Sequence, residues 1–427
     1  MTTAQDAVSR LVLGPSGLSA RDITLAAAQV RAAAESNRDA RQVAHALTRA
    51  FALWRDRNYR RRRDAVAEIA ARAGFSAALV DSSLDALLKP FTAEAIASVA
   101  RRVSAVKRVN GPQVIGFIMA GNVAGAGIHE FTIALIAGAG LLVKTASAEP
   151  IFFQAFARTL AEIDSTVASR VATFNWGRTR ADLSAEMLAN CDRVVAYGDD
   201  STIRSLHESD KVLGFGSRVS AAVVAQSALA TSRIDAVAES LALDVVMFEQ
   251  LGCLSPHQIF VISPRPGAVR EFAAALARAI ENLSARMPPA KLPLRDACEI
   301  LGLRERARWR RIAGEPIESF EGQRLEWTVV CDSRPASDDS FAVSPGFRTV
   351  NVTAARDIDD VRRAIAAASR WIEAIAVAGD EAETAALSAM LRGLGVPYVC
   401  APGEVQSPPL DWRHGGRCFL DVTMEQR

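Results

Sequence analysis

The chain has 427 residues, more than one compact core usually holds, so two or three domains are expected and a lone small binding module is excluded. Half of the residues are apolar and 23% are charged, the balance of a folded globular protein and not of a disordered or fibrous one. Fifty basic against 48 acidic side chains leave a net charge of +2, so no overall field draws the molecule to nucleic acid or an anionic membrane, and any anion site must be local.

The opening residues, MTTAQDAVSR, carry neither the basic nor the apolar part of a signal peptide. Six cysteines at 191, 253, 298, 331, 400 and 418 are too scattered for a disulfide framework or a CxxC metal site. A cytoplasmic location and no metal are expected. From Ser19 to about Val103 the chain is rich in Ala, Arg, Leu and Glu, and Val43, Leu47, Phe51 and Trp54 recur at helical spacing, which predicts a helical opening segment. Six arginines crowd Arg55 to Arg63, and five more lie between Arg304 and Arg311. Such clusters are solvated helix faces, or a docking surface for an acidic carrier protein or for the phosphates of a coenzyme A tail. No aromatic platform accompanies them, so nucleic acid is not the expected partner.

The most apolar stretch, Val114 to Val143, is interrupted by Asn122, His129 and Glu130, and the clean remainder from Phe131 falls short of the roughly 20 residues that span a bilayer. It reads as buried core, with no membrane span. Within it Gln113 to Met119 and Ala139 to Val143 are strand-like, the second ending at Lys144, with helical pattern between and after them. Arg193 to Tyr197, Ser220 to Val224, Gln258 to Ile262, Trp327 to Cys331, Arg348 to Val352 and Ala374 to Val377 continue the alternation. Strands alternating with helices predict an α/β sheet that is mainly parallel, with a boundary near 225 and no internal repeat.

Two segments can carry chemistry. In FEQLGCLSPHQIF, Cys253 follows a glycine and precedes a Ser-Pro turn between helical pattern and an apolar strand, where a thiol can be presented into a cleft. On spacing alone it is a nucleophile or a packed core cysteine. His129, His207, His257 and His414 each stand alone, and no Cys-His pairing follows from their positions. In VIGFIMAGNVAGAGIHEFTIALIAGAGLLVKTASAEP the glycines do not spell GxGxxG. Instead a strand ends in Ala120-Gly121-Asn122, whose amide can donate to a developing oxyanion. A second strand delivers Lys144, which can reach a ribose or a phosphate.

With a glycine-containing loop at Tyr197-Gly198-Asp199-Asp200-Ser201 and a turn at Gly214-Phe215-Gly216-Ser217-Arg218, the order Asn122, Lys144, loop, turn, Cys253 resembles the aldehyde dehydrogenase superfamily. The runs GFGSRVSAAVV, QLGCLSPH and DWRHGG more closely resemble the long-chain acyl-CoA reductase family, the fatty-acid reductase component of bacterial bioluminescence and its non-luminous relatives. The resemblance covers about residues 90 to 420. It implies an α/β, aldehyde dehydrogenase-like fold: a helical N-terminal segment over 1–100, a Rossmann-type NAD(P)-binding domain over 101–225, an α/β catalytic domain over 226–400 and a C-terminal segment over 401–427.

The resemblance also implies roles. Cys253 matches the cysteine that takes the acyl group as a thioester, and Asn122 matches the asparagine that completes an oxyanion hole with the cysteine backbone N–H. Lys144, Ser147, Gly198, Ser201 and Gly214 fall in the cofactor-contacting set. Ser147 stands where NAD-preferring relatives often place a glutamate, which favours NADPH, with NADH as the alternative and Glu149 two residues on tempering the preference. Gly214 replaces the glutamate that activates water in hydrolytic members, which favours thioester chemistry. Ser344-Pro345-Gly346-Phe347 lacks the glutamate that grips the nicotinamide ribose. The implied activity is NADPH-dependent reduction of a fatty acyl thioester, from acyl-CoA or an acyl carrier protein, to the aldehyde, by a homo-oligomer. An acyl-phosphate reductase, another dehydrogenase of the superfamily, and a silent carrier-binding subunit are the alternatives; the joint presence of Asn122, Lys144 and Cys253 speaks against the last.

Overall fold

The computed structural model describes residues 12–13, 17–36, 39–105, 113–206 and 210–424. Two sheets organise them. Strands β1 (Val12–Leu13), β2 (Val114–Ile118), β3 (Gly140–Thr145), β4 (Val171–Asn175), β5 (Arg193–Tyr197) and β6 (Val212–Phe215) form an all-parallel sheet in the order β1-β4-β3-β2-β5-β6. Strands β7 (Val219–Val224), β8 (Pro256–Ile262), β9 (Ile317–Glu321), β10 (Thr328–Pro335), β11 (Thr349–Ala355), β12 (Ile372–Ala378) and β13 (Tyr398–Cys400) form a second, in the order β13-β12-β7-β8-β11-β10-β9. It is parallel except at the β9 edge.

The central strands are near-continuous apolar runs because both faces of each sheet are covered by helices. On one face of the first sheet, Phe51, Trp54 and Phe91 of the opening segment pack with Phe131, Phe152 and Phe156. On the other, Val30 meets Leu183 and Met187. The opening helices form where the sequence offers both an apolar stripe and a cap: Asp39 caps the helix Ala40–Arg55 and Ser76 caps Ala77–Leu88. The apolar stretch 131–143 divides at Gly138 into the helix Ile128–Ile136 and β3. Gly140 is required there, because a Cβ would come within 2.6 Å of the Val30 carbonyl oxygen. No helix of the described residues is long and apolar enough to cross a membrane.

Three features differ from expectation. The run Ser220–Val224, expected to close the cofactor domain at 225, lies inside the second sheet between β8 and β12. The chain crosses between sheets over only Gly216, Ser217 and Arg218, so no linker composition marks the passage. Gly214, expected in a turn, pairs with Ala196 in strand register, and the turn starts at Gly216, where a Cβ would clash with the Asp200 carboxylate. After β13 the chain returns to the first unit, burying Leu410, Phe419 and Leu420 in its core.

The arginine clusters are held by carboxylates. Arg62 is fully buried, 2.6 Å from both Asp81 and Asp85 and 2.8 Å from the Trp54 carbonyl. Arg57 pairs with Asp85 and Arg61 with Glu162. In the second cluster Arg304 is buried against Thr328 and Trp327, while Arg308, Arg310 and Arg311 pair with Glu321, Glu315 and Glu318.

Candidate active site

The cofactor-set residues gather at the carboxyl ends of the first sheet's strands, where open parallel sheets bind ligands. Lys144 sits near the end of β3 and Ser147 just beyond it; Asn122 follows β2; Gly198 and Ser201 follow β5; Gly214 lies in β6. Lys144 is half-buried, and burial, with Arg178 nearby, lowers its pKa. Ser147 is exposed, and its carbonyl accepts from Arg72 at 2.8 Å, a contact that links the opening helices to this edge. Glu149 points elsewhere: it is buried, and Oε1 accepts the N–H groups of Ile151 and Phe152, both at 2.9 Å, at the start of the helix Ile151–Ile163. Ser201 donates to Asp199 at 2.7 Å, and Asp199 also accepts the Thr202 N–H at 2.7 Å. The Gly198 N–H donates to the Phe215 carbonyl at 3.3 Å, which ties the β5 loop to β6.

Cys253 stands on a loop entering β8. Phe248, Glu249 and Gln250, just before it, all have left-handed backbone with φ of 54°, 53° and 60°. Each non-glycine residue held so costs about 1–3 kcal/mol, and surrounding bonds must impose the shape. Glu249 forms a buried ion pair with Arg348 at 2.6 Å and accepts the Ala290 N–H at 3.1 Å. The Gln250 amide donates to the carbonyls of Pro256 (2.6 Å) and Thr349 (2.8 Å), and its oxygen accepts the Thr349 N–H at 2.7 Å. Ser220 donates to the Cys253 carbonyl at 2.9 Å. The segment Ser344 to Phe347 buttresses this loop: Ser344 Oγ lies 2.8 Å from His257 Nδ1, and the Phe347 N–H donates to Glu249 at 3.0 Å. Asn122 reaches the same loop, donating from Nδ2 to the Leu251 carbonyl at 2.5 Å.

His414, expected to stand alone, is the group that sequence reasoning missed. It is buried, and Nδ1 lies 2.8 Å from Glu130 Oε1. Its ring stacks on Phe215 at 4.0 Å and on Trp412 at 4.7 Å. Burial alone would lower its pKa, but the Glu130 charge, the nearby Cys253 thiol and the bond to Glu130 outweigh it and raise the pKa to about 10. For Glu130, burial raises the pKa, and the His414 charge and hydrogen bond overturn that to hold it at about 2. The pair is an imidazolium and a carboxylate at neutral pH, with the imidazolium between aromatic faces that favour a cation. Buried Glu373 accepts the Gly415 N–H at 2.8 Å and lies 3.5 Å from Arg218, fixing the loop that carries His414.

His129 lies beside this group, its ring centre 6.1 Å from that of Trp412. His129 contacts the Pro408 carbonyl at 3.1 Å, and burial lowers its pKa to about 4, as it does for His257. His207 lies outside the described residues. Burial pushes the thiols of Cys191 and Cys331 up to about 12 and also raises Cys400. Among the described residues no cluster of three or more His, Cys, Asp or Glu can hold a metal ion. One signal for the pair was in the sequence: Glu130 interrupts the most apolar stretch, and a carboxylate buried there requires a cationic partner.

A family model described as acyl-CoA reductase (LuxC) matches residues 36–423. The chain belongs to this family. The acyl-CoA reductase match spans both sheets except β1, and includes the His414 segment. Long-chain acyl-protein thioester reductase 2 of Photobacterium leiognathi is 24% identical over 152 residues, 34% of this chain and 31% of that protein. Long-chain acyl-protein thioester reductase of Aliivibrio fischeri is 23% identical over the same shares. The alignment thus spans about a third of the length of these curated relatives. The fold is that of the aldehyde dehydrogenases. Aldehyde dehydrogenase 21 of Physcomitrella patens, solved with the product succinate, superposes with a TM-score of 0.70 at 13% identity, covering 95% of this chain and 89% of that one. A Mycobacterium tuberculosis aldehyde dehydrogenase complexed with NAD+ gives a TM-score of 0.69 at 17% identity, covering 96% and 90%.

Proposed function

We propose that the protein reduces a long-chain acyl thioester to the aldehyde through a thioester on Cys253, with NADPH as reductant. One observation carries the proposal: the titratable group beside the Cys253 thiol is the His414 imidazolium, held protonated by Glu130 at 2.8 Å, while β6 offers only glycine at 214. A hydrolytic enzyme needs a base to activate water. A protonated imidazole is instead an acid, suited to a departing thiolate. Family membership and the names of the two relatives support the same substrate class.

The Cys253 thiolate attacks the thioester carbonyl, and its oxygen is held by the Cys253 N–H and by the Asn122 amide, which leaves the Leu251 carbonyl to reach it. As the carbon–sulfur bond to the donor breaks, His414 gives its proton to the departing sulfur. The acyl group now rests on Cys253, and His414 is recharged from solvent. The cofactor edge fits a reduced nicotinamide with a 2'-phosphate: Lys144 is half-buried there, Ser147 brings no carboxylate, Glu149 is turned to its helix, and Arg72 lies over Ser147. Bound there, the cofactor supplies hydride to the acyl carbon. Collapse of the resulting thiohemiacetal on Cys253 frees the aldehyde and restores the thiolate. Each cycle consumes one proton and one hydride.

The test is intact mass after incubation with palmitoyl-CoA. The native protein gains one acyl group and Cys253→Ser gains none, while an adduct on another cysteine with turnover retained overturns the assignment. NADPH oxidation followed across acyl-CoA lengths from acetyl to palmitoyl reads the chain preference.

A further inference from the structure

Each cycle of the proposed reaction draws one proton from His414, which is buried, so its recharging needs a group that can carry a proton to it. Glu130 is not that group: held at about 2, it stays a carboxylate at neutral pH. A second buried carboxylate acts on the same ring. Glu373 stands in β12, the one charged residue in a strand whose seven residues, Ile372 to Ala378, are all buried. Its side chain has no exposure, and Oε1 accepts the N–H of Gly415, the residue after His414, at 2.8 Å. Oε2 has no hydrogen-bond partner among the described residues, since Arg218 Nε stays 3.5 Å away. A buried carboxylate oxygen left so is costly, and packing within a sheet gives no reason for it.

The backbone around Glu373 is irregular. Ile372 pairs with Val219 and Ile375 with Ala221, three steps along β12 against two along β7. One extra residue in a strand is a bulge, which re-aims side chains and is common next to active sites. Within it the Ala374 N–H donates to Ser220 Oγ at 3.0 Å, and Ser220 donates on to the Cys253 carbonyl at 2.9 Å. The bulged stretch is thus bonded to both loops of the centre, to that of the cysteine through Ser220 and to that of the histidine through Gly415.

The charged groups that act on Glu373 are His414, Arg218 and Glu130, the last opposing its ionisation. Burial outweighs them and raises its pKa above the ordinary value, whereas Glu130 is pushed the other way. One imidazole therefore has a carboxylate fixed as an anion and another disposed to take a proton, a division that marks separate acid–base roles.

We propose that Glu373 recharges His414 after each thiol departs. Glu373 acts through His414 and is a positioning residue for the proton; its role rests on the chemistry assigned to Cys253 and His414. Once the departing thiolate has taken the imidazolium proton, the O–H bond of the Glu373 carboxyl breaks and the N–H bond of His414 re-forms. The carboxylate then regains a proton from water on the side of partly exposed Arg218. The cycle still consumes one proton and one hydride.

Stopped-flow NADPH oxidation with palmitoyl-CoA in excess over the full chain separates the first turnover from later ones. Glu373→Gln keeps an acceptor for the Gly415 N–H but carries no proton. Its first equivalent of NADPH is expected to be oxidised at the native rate, because His414 starts charged, and its later turnovers to slow by about tenfold or more. Added imidazole buffer should restore those later turnovers, which it would not do for a displaced loop. Glu373→Asp, a second variant that keeps the carboxylate at shorter reach, should show a native first turnover and later ones between the native and Gln rates. First and later turnovers slowed alike, or both at the native rate, in either variant overturn the role of Glu373 and leave Cys253 acylation standing. If the native protein puts no acyl group on Cys253, the thioester chemistry falls and the recharging role falls with it.

Discussion

The two edges that meet at Cys253 are built by opposite means. On the first sheet, Ser147 and Ser201 are exposed, Lys144 and Gly198 are half-buried, and all four stand at or just past strand ends. On the second, the cysteine loop is fixed by three left-handed residues, a fully buried Glu249–Arg348 pair and a Gln250 amide bonded to two strands. In the proposed function a flexible cofactor comes and goes along the first edge, whose groups can adjust to it. As the proposed nucleophile, Cys253 gains from being fixed before the substrate arrives, since misplacement of an ångström costs orders of magnitude in rate.

Breaking the rigid side has the largest expected effects. Replacing His414 with Gln should slow acylation of Cys253 by about 10²–10⁴-fold in rapid-quench measurements, and a loss below tenfold would remove it as the proton donor. The native protein should also lose turnover as pH rises through about 10, where the imidazolium gives up its proton. Folding linkage has the same sign. With the ordinary value of 6.5 raised to about 10, the His414 contribution to stability is complete below pH 6.5 and is lost as pH climbs towards 10. Urea midpoints should therefore fall between pH 7 and 10 in the native protein and fall less in His414→Gln.

Next in size, Arg348→Ala leaves the Glu249 carboxylate buried without its partner and should cost about 3–5 kcal/mol of stability by urea unfolding. Glu249→Gln together with Arg348→Met should recover part of that, which separates a structural lock from a catalytic charge. The smallest change belongs to the adjustable edge. Arg72→Ala should raise the KM for NADPH roughly fivefold, with no change for NADH and none in stability. Equal effects on both cofactors would remove Arg72 from the 2'-phosphate.

The central strands were legible because their apolar runs are local and uninterrupted: the expected Arg193–Tyr197 is β5, and Gln258–Ile262 differs from β8 by two residues. Strand β6 was not, because Gly214 and Gly216 carry turn chemistry and only pairing with β5 turns the first of them into strand. Strand β13, three residues at a sheet edge, is too short to leave a period. The short crossing between sheets left no composition signal, so the boundary was expected at 225 and not at 216–218.

The order of chemistry-bearing groups along the chain is a property of the sequence: Asn122, Lys144, Gly214 and Cys253 sit beside strand patterns that local hydrophobicity alone can define. The tertiary structure decided what those groups face. Glu130 and His414 are 284 positions apart, and only the return of the C-terminal segment onto the first unit pairs them. The same folding sets most arginines of the two dense clusters against nearby carboxylates. Charge written in a sequence becomes function only after the chain has determined which charges are cancelled, because an ion pair depends on a few ångströms of space and not on separation along the chain.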